Sequence, residues 1–368
     1  MEGDAQYLPE EVIRNILTRL PVKSLIRFQC VCKHWKNLIK SPSFIADHLH
    51  HSNLQNPLLL CEYNDRESLM NLRLLDREMQ FLEVETEPLM DSLHNPMIIG
   101  SSNGLICLRL CTNKNGKYSV SLLLWNPSIR EVRQIYINYL GFYLFAGFGF
   151  SPILDDYKIL IIHPTRYSAQ VYSVGSGSWN GVDCTILNDW HDLHDDPITV
   201  NGFMYWIGSK EDENDLFVVS FDMAMELFTL ISPISPREGR GTIKLTVYEN
   251  KLGLLSVISE NQNSFVTNLW VMEEVTGTIR ETWSWTKKYT SNPLTGMLAC
   301  PVTMWNNEIV CDVYFGDECE PKIFLINITT SELKMVNDPL FNLDLCDAFN
   351  YVESLVAVGG IKSTTMFV

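Results

Sequence analysis

The stretch DWHDLHDD, Asp189 to Asp196, carries the side chains of this chain best able to hold a metal. His191 and His194 are candidate ligands, with Asp192, Asp195 or Asp196 as oxygen partners. The competing reading is a solvated polar loop between Trp190 and Pro197, and that reading is preferred, with no metal assigned. The ten cysteines are scattered without a CxxC pair, so zinc-ligand spacing is missing as well. Only eight histidines are present, and four of them (His34, His48, His50, His51) lie in or beside the opening helical stretch. No nucleophile elbow, phosphate loop or dinucleotide fingerprint occurs. The glycine-rich run LGFYLFAGFGF is followed by no helical pattern, which fits strand and tight turn better than phosphate binding. These residues form no catalytic constellation. The reading is a non-enzymatic binding protein that needs no cofactor.

The elements around these residues fall into two groups. From Leu8 to Ile39 the chain reads LPEEVIRNILTRLPVKSLIRFQCVCKHWKNLI. Pro9 suits a first helical position, and Glu10 and Glu11 favour the positive end of a helix dipole. Val12, Ile13, Ile16, Leu17 and Leu20 then make a broad apolar face, which Pro21 ends. Val22, Leu25, Ile26 and Phe28 suggest a second short helix, and Val31, Trp35, Leu38 and Ile39 a third. Ser41-Pro42 looks like the cap and first position of a fourth turn. A unit this short does not bury a core unaided. It is either a cap on the larger domain or a module that a partner completes. A helix-turn-helix is a third reading, weakened because no single helix gathers the basic residues.

Charge divides the chain in the same place. Residues 1–50 hold seven Lys/Arg against five Asp/Glu, a net +2, and the remainder holds 21 against 39, a net −18. An overall charge of −16 argues against nucleic-acid binding, which rests on neutralising phosphate. The start, MEGDAQ, lacks the layout of a signal peptide. The longest uncharged apolar stretch, Asn138 to Leu154, is broken by Gly141, Gly147, Gly149 and Pro152, so no membrane span is expected. The expected setting is therefore intracellular, with reduced cysteines acting as small apolar fillers. In that setting the sequon at Asn327-Ile328-Thr329 reads as a turn.

The rest of the chain is repetitive. Segments such as LLLWNPSIREVRQI, LFVVSFDMAMELFTLI and IFLINITTSELKMV each run from an apolar strand into a polar corner. The residue just past the corner falls at Asp76, Asn126, Ser173, Asp222, Val271 and Asn327, at intervals of 50, 47, 49, 49 and 56. Between them recurs a second strand, as in SSNGLICL and VNGFMYWI. The Asn-Gly pairs at 103–104 and 201–202 are hairpin signals. This spacing, with three or four short strands per unit, points to a β-propeller of about six blades; a non-repetitive β-sandwich is the alternative.

Two family resemblances rest on these residues. Leu8-Pro9, Ile16-Leu17, Leu20-Pro21, Leu25, Phe28, Val31-Cys32-Lys33 and Trp35 resemble an F-box, and LPVKSLIRFQCVCKHW matches the plant version of its core nearly letter for letter. The resemblance spans Tyr7 to about His48. It implies docking on the Skp adaptor of a Skp–cullin–F-box ubiquitin ligase, and through it on cullin and RING subunits. The adaptor-binding residues it implies are Leu8, Pro9, Ile13, Ile16, Leu17, Leu20, Pro21, Leu25, Val31, Cys32 and Trp35, with the adaptor completing the unit's core. From about Leu58 to Val358 the phrases SSNGLICL, LLLWNPSIREV, VYSVGSGSW and VNGFMYWI are similar to the plant F-box-associated domain, a divergent kelch-like propeller. Tyr351–Val358 is expected to close its ring.

The expected architecture is thus an all-α F-box over residues 1–50 and an all-β propeller over 51–368, with the junction around His50–Asn53. The expected function is a substrate receptor that captures a protein for ubiquitination and degradation, in the cytoplasm and also the nucleus. An F-box protein acting without degradation is the first alternative, and a kelch-type metal oxidase the second. Candidate substrate-binding connections are Asp76–Pro96, Cys184–Pro197 (with Asp192, Asp195 and Asp196), Pro233–Thr242 and Lys287–Pro301. The acidic domain favours a basic substrate. The chain is also similar to the S-locus F-box proteins, which implies a basic secreted-type ribonuclease and a role in self-incompatibility.

Overall fold

The computed structural model describes residues 8–64, 70–84, 96–114, 117–137, 144–163, 168–187, 190–210, 216–233, 242–261, 264–275, 282–295, 297–315, 322–336 and 344–359. It opens with four helices: α1 (Glu10–Thr18), α2 (Val22–Phe28), α3 (Lys33–Ile39) and α4 (Pro42–Gln55). Pro9 and Pro21 sit at the caps of α1 and α2, where a missing N–H costs nothing. At the start of α3 the Trp35 N–H donates to Cys32 Sγ at 3.4 Å, and at the start of α4 the Phe44 N–H donates to Ser41 Oγ at 3.3 Å. The fourth turn expected from Ser41-Pro42 is a fourteen-residue helix. It continues through the expected junction at His50–Asn53 to Gln55, leaving residues 56 and 57 to connect the helices to the first strand.

The strands form six antiparallel sheets, which are the blades of a propeller. Blade I contains β1 (Leu58–Asn64), β2 (Met70–Leu75) and β3 (Phe81–Glu83). Blade II is β4 (Met97–Ser102), β5 (Leu105–Lys114), β6 (Lys117–Asn126) and β7 (Glu131–Tyr136). Blade III is β8 (Phe145–Ser151), β9 (Asp156–His163), β10 (Ser168–Ser173) and β11 (Ser178–Val182). Blade IV is β12 (Trp190–Val200), β13 (Phe203–Lys210), β14 (Leu216–Asp222) and β15 (Leu227–Pro233). Blade V is β16 (Ile243–Tyr248), β17 (Lys251–Asn261), β18 (Ser264–Val275) and β19 (Thr282–Thr290), with the short β20 (Leu294–Thr295) added beside β18. Blade VI is β21 (Met297–Trp305), β22 (Glu308–Phe315), β23 (Lys322–Asn327) and β24 (Leu333–Met335).

The final strand, β25 (Asp344–Tyr351), pairs with β1 and supplies the missing first strand of blade I. The first strands β25, β4, β8, β12, β16 and β21 each contact the next around the ring, and β21 returns to β25. Closure therefore comes one strand earlier than the expected Tyr351–Val358. Only Tyr351 of that segment is paired, opposite Leu58, and residues 352–358 follow as an irregular, largely buried stretch.

Six apolar clusters fill the wedges between neighbouring blades. Leu60, Ile98 and Leu123 belong to the wedge between blades I and II, for example, and Leu59, Val310 and Leu325 to the wedge between VI and I. Blade strands are consequently buried on both faces. That is why segments such as LLLW and IFLI read as continuous apolar runs rather than as an alternation.

The repeat of polar corners has a local cause. Asn126, Ser173, Asp222 and Asn327 end the third strand of their blades, and Asp76 directly follows it. Asp222 Oδ1 accepts the N–H groups of Ala224 and Met225, and Asn327 Oδ1 those of Thr329 and Thr330. A side-chain oxygen there holds the turn into the fourth strand. The same bonds make the sequon segment a turn, as read from the sequence. Val271 is the exception. It lies inside β18, which remains paired with β19 as far as Val275 opposite Thr282, and valine offers the turn no acceptor.

Candidate functional site

The helical unit has two kinds of apolar residue. Leu17, Val22, Leu25, Leu38, Ile39 and Phe44 form its buried core, with Ile13, Leu20, Phe28 and Trp35 partly buried against it. Phe28 and Trp35 meet with ring centroids 5.5 Å apart. Leu8, Val12, Ile16, Ile26 and Val31 instead face solvent, Leu8 at 56% and Val31 at 61% exposure, as does Leu54 near the end of α4. One short α-helical unit rarely leaves six large aliphatic side chains exposed, five of them before α3, and exposed apolar surface of that extent marks an interaction site.

The adaptor-binding set expected from the sequence is therefore divided. Leu8, Pro9, Ile16, Pro21, Val31 and Cys32 are exposed, and Ile13, Leu20 and Trp35 are half-buried. Leu17 and Leu25 are occupied inside the core, at 1% and 0% exposure. Val12 and Ile26 join the exposed surface although the family pattern does not mark them.

Two further core contacts come from outside the helices. Leu355 is part of the buried cluster and Ile129 packs against it. Glu353 lies beside the Val22 N–H at the start of α2, where the helix itself provides no side-chain cap. Burial raises the pKa of Glu353, while the nearby Val22 N–H and Lys23 oppose the rise. The expectation that another protein completes this core is corrected to that extent: the propeller's own last segment fills part of it. Nothing at position 355 signals this in the sequence, because its partners lie more than three hundred residues earlier.

The helices join the propeller on one defined face. Turns between first and second strands, and between third and fourth strands, all lie on the face where β25 ends and β1 begins. Among the described residues, the non-glycine positions with positive φ in the propeller, such as Asn103, Asp155, Asn201, Glu226 and Asn306, all sit in these turns. On the opposite face, every connection lies wholly or partly outside the described residues. The four candidate substrate connections include or overlap connections of that opposite face.

The acidic candidate segment is not a loop. Trp190–Val200 is the innermost strand of blade IV, paired with β13, and its register breaks between Trp190 and Asp192 and again between His194 and Ile198. Asp192, Asp195 and Asp196 thus occupy a bulged first strand at the propeller's far rim; their side chains lie outside what is described. Lys287–Pro301 likewise contains the end of β19, the whole of β20 and the start of β21 rather than one long loop. No group of three or more metal-ligating side chains occurs among the described residues.

Residues 58–358 match the F-box associated beta propeller domain family, and residues 6–47 match the F-box domain family. The chain belongs to the plant F-box proteins with a C-terminal F-box-associated propeller. Among relatives of this F-box protein, "F-box protein At1g47340" of Arabidopsis thaliana is 30% identical over 304 residues, covering 76% of this chain and 63% of that protein. "F-box protein At3g17710" of the same plant is 29% identical over 282 residues, covering 72% of this chain and 73% of that one. The match to the first of these spans less than two thirds of its length. Among solved structures, a chain of the nidogen/laminin complex aligns with 81% of this F-box protein and 99% of itself, at 12% identity and a TM-score of 0.47. That likeness is too weak to carry an argument. No described helix of the F-box protein is long and apolar enough to cross a membrane.

Proposed function

We propose that this F-box protein is the substrate-recognition subunit of a Skp–cullin–F-box ubiquitin ligase. The observation that carries this reading is the exposed aliphatic surface of the F-box, formed by Leu8, Val12, Ile16, Ile26 and Val31, which a Skp-type adaptor would cover. The propeller's far face, away from the F-box, would hold a protein substrate. The domain's acidity supports a basic one. The protein then contributes proximity rather than chemistry: ubiquitin transfer to a lysine of the captured partner becomes effectively intramolecular.

The test is a pull-down with a purified Skp-type adaptor, followed by ubiquitination in the reconstituted ligase. Ile16→Asp is the variant of choice, because Ile16 is exposed in the free chain and the change leaves its fold intact. A charge forced into the docked interface is expected to weaken adaptor binding by on the order of a hundredfold. Undiminished retention of adaptor by Ile16→Asp would remove this surface from the proposal. Normal adaptor binding without ubiquitination of any captured protein would favour the non-degradative alternative.

A further inference from the structure

The segment that follows the last strand does not end the fold; it runs back to the F-box. After Tyr351 the described residues make no further strand, yet Val352, Ser354, Leu355 and Val358 are all buried. Blade II holds this segment from one side. Asn126 Nδ2 donates to the Ser354 carbonyl at 3.1 Å, to Ser354 Oγ at 3.2 Å and to the Val356 carbonyl at 2.8 Å. Glu131 Oε2 accepts the Val358 N–H at 3.1 Å. The hairpin at Gly104 fits against it so closely that a Cβ there would lie 2.4 Å from Ser354 Oγ. On its other side the segment enters the F-box, with Leu355 in the core and Glu353 beside the Val22 N–H.

We infer that residues 352–358 form a strap that makes the folded F-box conditional on a closed propeller. The strap begins where β25 ends, and β25 is the strand that closes the ring against β1. Closure therefore delivers Leu355 and Glu353 to the F-box. The F-box has few buried apolar residues, so a single large one from outside is a substantial part of its core. Before closure, Leu355 has no fixed position, and the helices keep only their own contacts. The consequence, which rests on the docking reading above, is that an incomplete or opened propeller presents a poor adaptor site. The ligase is then not loaded with a receptor that is unable to hold a substrate.

The test is hydrogen–deuterium exchange on the full chain without adaptor, comparing amides of α1–α4 with those of β5, β9 and β13. Two variants are used. Leu355→Ala removes the apolar contact itself, and Asn126→Ala releases the strap from blade II, losing also the Ser128 N–H bond in its own turn beside Ile129. Both are expected to speed exchange throughout α1–α4 by roughly thirtyfold or more for Leu355→Ala, and by less for Asn126→Ala, while the blade amides stay within about twofold of wild type. Wild-type exchange in the helices of both variants would overturn the inference. So would equal acceleration in helices and blades, which would mean a single cooperative unit rather than a strap. Adaptor affinity, measured in parallel, is expected to fall with helix protection. A wild-type chain that binds no adaptor would sink the docking reading while leaving the exchange result to judge the strap.

Discussion

Burial separates residues of the same type into different jobs. Ile16 and Leu17 are neighbours in the motif, yet Ile16 is half exposed and Leu17 is in the core. A charge at 17 would unfold the helices, whereas one at 16 tests docking alone. His48 shows a second kind of residue-scale dependence. It is buried in α4, stacks on Phe44 and donates from Nε2 to the Leu20 carbonyl at 3.0 Å. Its Nδ1 is buried without a partner. Burial lowers its pKa, and His51 adds to the fall while the Leu20 bond opposes it. A lowered folded pKa means that the neutral form is preferred, so the stability His48 contributes is present above its unfolded pKa of about 6.5. It is lost as pH falls through the lower folded value. The F-box is expected to loosen as pH falls below about 6.5, read by exchange in α1 and α4, and His48→Gln is expected to flatten that dependence. Glu353 has the opposite sign. Its raised pKa gives a contribution present below the ordinary glutamate range and lost as pH rises through the folded value, so it cannot produce the acid-side loss.

At the scale of elements, the turns carry more than local conformation. Asn103-Gly104 and Asn201-Gly202 both have positive φ at each residue, as a tight hairpin between twisted strands requires. From the sequence the two are equivalent. In the structure the strap crosses Gly104, whereas a Cβ at Gly202 would have only Pro152 Cδ at 3.2 Å nearby. Alanine at either site costs about 1–2 kcal/mol for its left-handed conformation. Gly104→Ala must in addition displace Ser354 and the Val352 carbonyl. It is therefore expected to lower the melting temperature clearly more than Gly202→Ala does, and it alone should loosen the F-box helices. Equal melting temperatures would show that the strap yields without cost.

At the scale of the whole molecule, the two domains are unequal partners. The propeller fills its wedges with its own side chains and closes its own ring. A fragment beginning at Asn56 is therefore expected to give a β-rich circular dichroism spectrum with a cooperative melt. A fragment of residues 1–57 lacks Leu355 and Ile129 and is expected to show weak, non-cooperative helicity until the adaptor is added. A sharp melt of that fragment alone would contradict the shared core. Charge also acts at this scale. If the −18 of the propeller steers a basic substrate, the association rate should fall as ionic strength rises from about 0.01 to 0.15 M, where the Debye length shortens from about 30 to 8 Å. Asp192, Asp195 and Asp196 changed together to Asn should slow association. A salt-independent rate would leave the acidity with no role beyond solubility.

What could be read from the chain alone was whatever is encoded within a few residues. The helix caps at Pro9, Pro21 and Ser41, the Asn-Gly hairpins and the polar corners at Asn126, Asp222 and Asn327 all act through hydrogen bonds or φ preferences over one to four positions. Repeated about every 50 residues, they were enough to reveal both the helical unit and the propeller. The bulged strand at Trp190–Val200 escaped that reading, because its charged residues mimic a solvated loop and only pairing with β13 makes them a strand. The division of the F-box surface escaped too: Ile16 and Leu17 differ in which neighbour covers them, not in type. Ring closure at Asp344–Tyr351 and the strap beyond it join positions more than two hundred residues apart. No local preference records such contacts. They exist only because six wedge-packed blades bring the two ends of the chain together, and so the tertiary structure alone decided where the F-box finds the rest of its core.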